Sequence, residues 1–364
     1  MKINEVISLL NRWAPPSYQE SYDNARLIVG DSNAELTSAL ISLDCTEIVV
    51  EEAIEKGANL IIAHHPIVFK GLKSLTGKTY VERTILKAIK NEIAIFSIHT
   101  NLDNVNSGVN KKICDLVQLN KCKILAPKSN TLTKLVTFVP PENKDEILKK
   151  LYAVGAGNIG NYDQCSFQIE GTGTFRPNQK ATPYTGTPGK QEWVNESRIE
   201  LVFEAHRQSK IIDQLKNSHP YEEVAYYLTD LKNSNQDIGA GMIGELEKEI
   251  DTSVFFENIK KTFNLKLLKH TNVHKDKVRK IAVCGGSGSF LLGKAIREGA
   301  DVFITSDFKY HEYFDADNRI IIADIGHYES EVFTKELIYD FLIEKIPNIA
   351  VNLSERVTNP INYF

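Results

Sequence analysis

The stretch AIEKGANLIIAHHP, residues 53–66, reads as the end of a helix, a turn centred on Gly57 and a strand of unbroken apolar residues. The same grammar returns in AIREGADVFITSDF, residues 295–308. Ala53, Ile54, Gly57, Ala58 and Ile62 match Ala295, Ile296, Gly299, Ala300 and Ile304 at a constant offset of 242. Each copy follows another apolar run, residues 39–43 in one and 280–283 in the other, and each precedes a third, residues 93–98 and 320–325. Strands alternating with helices predict a parallel α/β layer twice over. A duplication and a shared βαβ grammar both account for the five matches.

Working outward, residues 127–235 have another rhythm. Residues 132–139 read as a strand and 145–153 as a helix. Cys165, Phe167 and Ile169 alternate like a strand with one face buried, and residues 198–204 are a further strand candidate. Residues 208–218 read as a helix and 224–229 as a closing strand. This is the βαββαβ order of a ferredoxin-like unit. Residues 176–189, with three prolines and two glycines, form a loop in this reading. The expected organisation is therefore an α/β protein of two similar α/β halves, residues 1–126 and 236–364, interrupted by a ferredoxin-like inserted domain at 127–235.

Composition narrows the function classes. At 364 residues and ~150 per domain, two or three domains are expected. Forty-three Lys and Arg against 47 Asp and Glu leave −4, which argues against nucleic acid or a membrane surface as a general partner. Five cysteines without a CxxC give no disulfide framework. Ile3, Val6, Ile7, Leu10 and Trp13 share one helical face, stopped by Pro15 and Pro16, where a signal peptide would carry an apolar core. No window supplies the ~18 consecutive apolar residues of a membrane span. A cytoplasmic protein is expected.

Residues with metal or acid–base potential gather where the strands end. His64 and His65 follow one strand, His99 and Asp103 the next, Asp307 and His311 a third, and His327 and Glu331 a fourth. In open parallel sheets ligands collect at the carboxyl ends of strands. Adjacent His64 and His65 diverge at a strand terminus, which suits two ions side by side better than one; taken alone, the pair reads as a core hydrogen-bond partner beside a solvated ring. His327 and Glu331 are spaced i,i+4, one turn apart on one face if a helix starts after Gly326. Alone they read as a surface pair, and Asp103 alone as an N-cap or turn residue. Together, three histidines and two carboxylates make a two-metal centre with positions open for water. VCGGSGSF, residues 283–290, offers backbone donors for a phosphate but lacks the dinucleotide spacing and a Walker lysine. Cys45 and Cys284 read as small buried residues.

HHP at residues 64–66, HTNLD at 99–103, TSDFKYH at 305–311 and DIGHYESE at 324–331 resemble the Nif-three-like dinuclear-metal proteins, often named GTP cyclohydrolase 1 type 2 homologs. DNARLIVG at 23–30 is similar to the family's N-terminal motif. The insertion is similar to the PII and cation-tolerance type of domain carried by longer bacterial members, with HPYEEVAYYL at 219–228 as its signature. Arg26 and Ser306 depart from the pattern, which commonly has glycine at both. The resemblance covers nearly the whole chain and carries the metal ligands onto His64, His65, Asp103, His327 and Glu331. It implies two divalent metal ions per subunit and a toroidal homohexamer.

The chemistry implied is a metal-dependent hydrolysis of the cyclohydrolase kind on a purine nucleotide, with ring opening and loss of formate. Zinc is favoured, and manganese, iron and cobalt also suit His–carboxylate sites. Asp307 and His311 are candidates for orienting a ligand or moving a proton, while His99 reads as structural. The absence of an obvious cationic clamp counts against a triphosphate. The rival class is a non-enzymatic metal-holding ring whose PII-like insertion senses a small molecule or binds a protein.

Overall fold

The computed structural model describes all residues, 1–364. They form two compact units, Met1–Ala126 together with Asp237–Phe364, and Pro127–Gln236.

The larger unit holds two sheets. One has five strands in the order Leu27–Val29, Ala94–Ser97, Leu60–Ala63, Ala39–Ser42, Val351–Leu353. The other has six, Lys269–His270, Ile321–Asp324, Val302–Ser306, Lys277–Ser287, Asn235–Asp251, Asn120–Lys128. The first contains four adjacent parallel strands and the second three, and each closes one side with a short antiparallel strand. The sequence repeat survives to the level of register. Ile41 pairs with Ile62 in the first sheet and Val283 with Ile304 in the second, both members of the pair displaced by 242.

Strands buried on both faces must be apolar on both faces. Ile41, Ile62 and Phe96 from one sheet and Val283, Ile304 and Ala323 from the other belong to a single core. Helices Ile3–Trp13, Val109–Leu116, Thr252–Thr262 and Thr334–Lys345 contribute to the same core. The opposite faces, Leu40, Ile61 and Ile95 in one sheet and Ala282, Phe303 and Ile322 in the other, pack into separate clusters. Two strands exchange halves: Asn120–Lys128 joins the second sheet, and Val351–Leu353 joins the first. No helix is long and apolar enough to cross a membrane.

The smaller unit has one antiparallel sheet in the order Phe167–Phe175, Glu192–Glu204, Leu132–Val139, Tyr226–Leu231. Helices Lys144–Ala153 and Gln208–Ser218 complete the βαββαβ order. Leu135, Ile199, Phe203, Ile147, Leu151, Ile211 and Leu215 are its core. The alternation at Cys165, Phe167 and Ile169 does not mark a half-buried strand as expected. The strand begins at Phe167, continues to Phe175, and leaves Phe167 and Ile169 both exposed, because it lies at the sheet edge. In the HPYEEVAYYL segment, His219 locks the chain: its Nε2 donates to the Phe138 carbonyl at 2.9 Å and its Nδ1 accepts from Tyr221 N at 3.1 Å.

Candidate metal centre

The centre lies in the larger unit, where three strand ends converge. The Leu60–Ala63 strand delivers His64 and His65 at its end. The short helix Thr100–Asp103 follows Ala94–Ser97 and carries Asp103 in its single turn. The helix His327–Glu331 starts after Gly326, whose φ of +92° suits glycine, and where a Cβ would meet Glu329 Oε2 at 2.3 Å. That sharp entry sets His327 and Glu331 on one face, as their spacing predicts.

Two overlapping groups result. His65, His327 and Glu331 form one, and His64, Asp103 and Glu331 another; in each, one atom per residue lies within 4.8 Å of the others. Glu331 is shared. Its Oε2 lies 2.9 Å from His65 Nε2 and 3.0 Å from His327 Nε2, while its Oε1 faces His64 Nε2 at 3.9 Å. Asp103 Oδ1 is 3.6 Å from His64 Nε2. Nε2 of His65 and Nε2 of His327 are 3.3 Å apart.

The other ring nitrogen of each histidine is held from behind. His64 Nδ1 donates to the Ile98 carbonyl at 2.8 Å, which can only accept and so leaves Nε2 as the lone pair of the neutral ring. His65 Nδ1 donates to Asp44 Oδ1 at 2.7 Å, and His327 Nδ1 to Asp307 Oδ2 at 2.6 Å. Such backing fixes the tautomer and raises the basicity of a metal-binding imidazole. His64 Nε2 and Asp103 Oδ1 are buried with no hydrogen-bond partner. Leaving such atoms unmade costs about 1–3 kcal/mol each, so their pairing across a gap suits a cation between them. The donor set of imidazole and carboxylate fits a first-row divalent ion.

The electrostatics agree. Burial alone would lower the His65 pKa, but its bonds to Asp44 and Glu331 carry it up to about 9. His327 rises to about 11 by the same balance, through Asp307 and Glu331. Burial pushes the Asp103 carboxyl up to about 7 against the pull of His64. Burial opposes ionisation of Glu331, yet the bonds from His327 and His65 hold it well below the usual carboxylate range. Glu331 is thus a site that favours positive charge beside it.

The Gly-rich turn serves this carboxylate and leaves little for a phosphate. Gly285 N donates to Asn110 Oδ1 and Gly286 N to Ser330 Oγ, each at 3.0 Å, so both donors are taken. Gly286 has a φ of +60°, and a Cβ there would stand 2.4 Å from Glu331 Oε1. Ser306, one of the two departures from the family pattern, donates its hydroxyl to the Gly286 carbonyl at 2.6 Å. Arg26 acts through its backbone, its carbonyl accepting from Ser97 N at 2.9 Å.

His99, read above as structural, lies with His64 and His65 in a third group that could hold a metal. Its Nδ1 is held by Asp23 Oδ1 at 2.8 Å. Asp23 had only a motif to mark it, and no role. His311 lies apart from these groups, exposed on the turn Tyr310–Ala316 with its ring against Tyr310 and Phe314. Asp44 escaped the sequence reading although it too follows a strand end; its Oδ2 also accepts from Thr358 Oγ1 at 2.5 Å.

The chain matches the family described as Duf34/NIF3 (NGG1p interacting factor 3) over residues 1–360. It belongs to that family. It is 38% identical over 363 residues to the GTP cyclohydrolase 1 type 2 homolog of Halalkalibacterium halodurans, covering 98% of each chain. It is 37% identical over 369 residues to the protein of that name from Staphylococcus aureus, covering all of both. Among solved structures, a Bacillus cereus protein related to NIF3 superposes with a TM-score of 0.88 at 37% identity, covering 100% of this chain and 99% of the other. The chain is therefore a full-length DUF34/NIF3 match with a cluster of His, Asp and Glu able to bind metal.

Proposed function

We propose that the chain is a dinuclear metal-dependent hydrolase of the GTP cyclohydrolase 1 type 2 kind. His65 and His327 would hold one divalent ion, His64 and Asp103 the other, and Glu331 would bridge them. The observation that carries this is the geometry of Glu331, one oxygen turned to each pair of ligands. Zinc is the favoured ion, with manganese, iron or cobalt suited to the same donors. Two such ions would supply Lewis acidity and an activated water at neutral pH. The protein's own contribution is orientation: Asp44 aims His65, Asp307 aims His327 and the Ile98 carbonyl aims His64. A ring of six chains belongs to the same reading, and a solution mass of six chains would support it.

Elemental analysis of protein purified without added metal, paired with turnover on a panel of nucleotides, tests the proposal. Two equivalents of a divalent metal per chain and activity lost in Glu331→Ala with unchanged circular dichroism are expected. A folded wild-type protein that takes up no metal on titration overturns it.

A further inference from the structure

Around the metal-capable cluster lies a cavity of about 820 Å³, within the range of sites that enclose a small organic molecule. No lysine or arginine lines it. Its acidic lining is Glu20, Asp44, Asp103 and Glu331. Two divalent ions would bring four positive charges and these four carboxylates as many negative ones. Asp307, bound behind His327, adds another. The filled site would thus offer a polyanion no net positive charge, and no guanidinium or ammonium to clamp its oxygens.

The rim is aromatic. Tyr22 and Phe290 are each 70% exposed, Tyr80 58% and Phe69 54%, and all four line the cavity together with Tyr328. The Phe69 ring stands 5.8 Å from that of His99, edge to face, so the aromatic rim reaches the histidines of the cluster. Exposed rings around a concave site stack planar ligands, each stacked ring adding roughly five- to a hundredfold in affinity.

We propose that this site takes an uncharged planar heterocycle, stacked on the aromatic rim with its polar ring atoms toward the cluster, and that a phosphate chain is no part of what it recognises. This rests on the reading of His64, His65, Asp103, His327 and Glu331 as holders of two ions. It separates the ring of a purine nucleotide from its triphosphate.

The test is calorimetric binding to the full chain loaded with zinc, with metal content measured before and after each titration. The probes are three uncharged rings (guanosine, adenosine and neutral pterin), GTP, and inorganic tripolyphosphate as competitor. At least one ring is expected to bind, guanosine and GTP to differ by less than about threefold, and tripolyphosphate to displace neither. Tyr22→Ala combined with Phe290→Ala should weaken ring binding by about tenfold or more while two metal equivalents remain. GTP binding more than about tenfold tighter than guanosine with displacement by tripolyphosphate overturns the proposal. So does a chain with both metals that binds none of the rings at millimolar concentration, or ring binding indifferent to the double substitution. A chain that takes up no metal fails the metal reading instead, which keeps the two failures apart.

Discussion

The middle strands of the two sheets, Leu60–Ala63 and Val302–Ser306, share a register and diverge only where they end. At the offset of 242, His64 corresponds to Ser306 and His65 to Asp307. In the first sheet this strand end presents two imidazoles to the cluster. In the second, Ser306 turns its hydroxyl onto the Gly286 carbonyl, and Asp307 holds the back of His327. The second sheet brings its cluster residues, His327 and Glu331, one strand later. One backbone plan thus supports two divisions of labour: cluster histidines at the middle strand with Asp44, the carboxylate behind His65, on the neighbouring strand end, or Asp307, the carboxylate behind His327, at the middle strand with the cluster residues on the neighbour. Asp307 adopts a φ of +61°, a conformation that Asp tolerates better than most residues.

Substitution at the matched positions tests this division. The largest difference is expected between His64→Ala and Ser306→Ala. The first removes one of the proposed ligands and should leave at most one tightly held metal per chain by elemental analysis. The second should keep two and cost only about 1 kcal/mol in urea unfolding, the worth of an ordinary hydrogen bond. Next, Asp44→Asn and Asp307→Asn should act alike although they lie in different sheets. Each should lower metal affinity by about 10–100-fold in competition with a chelator without unfolding the protein. If only one of them matters, the two carboxylates do not play parallel roles.

Gly286→Ala should weaken metal binding less than these and add a backbone cost of about 1–2 kcal/mol, since its φ is left-handed and its new Cβ presses on Glu331. Retained metal affinity in this variant would show that Glu331 can move without loss.

The fold and the His–carboxylate cluster were legible to different depths. Unbroken apolar runs such as Leu60–Ala63 and the Gly57 and Gly299 turns marked the parallel strands, because burial on both faces leaves no polar option. The strands Leu27–Val29, Lys269–His270 and Val351–Leu353 left no such trace. They are two or three residues long and owe their existence to the edges they pair with. At the cluster, side chains with ligand chemistry stood out, whereas the groups that aim them did not. The Ile98 carbonyl is backbone and has no sequence signal, and Asp44 looks like any acidic residue after a strand. The tie of His99 to Asp23, 76 residues away, forms only on folding and leaves no sequence signal.

That tie gives the smallest effect and a pH signature. Burial works against ionisation of Asp23, but the His99 bond and charge, with Thr100 and Asn24, bring it down to about 2. A carboxyl depressed on folding stabilises above its unfolded pKa of ~3.9, and that contribution fades as pH falls through the folded value. Between about pH 4 and pH 2 the wild type should therefore lose stability more steeply than Asp23→Asn, read as urea midpoints at each pH. Parallel slopes would remove Asp23 from the account.

The most direct test of the central claim is anomalous diffraction from crystals of the zinc- or manganese-loaded protein. The account requires two peaks per chain about 3.5–4 Å apart, flanking the carboxylate of Glu331, with His65 and His327 at one and His64 and Asp103 at the other. A single peak, or two that share no contact with Glu331, would contradict it.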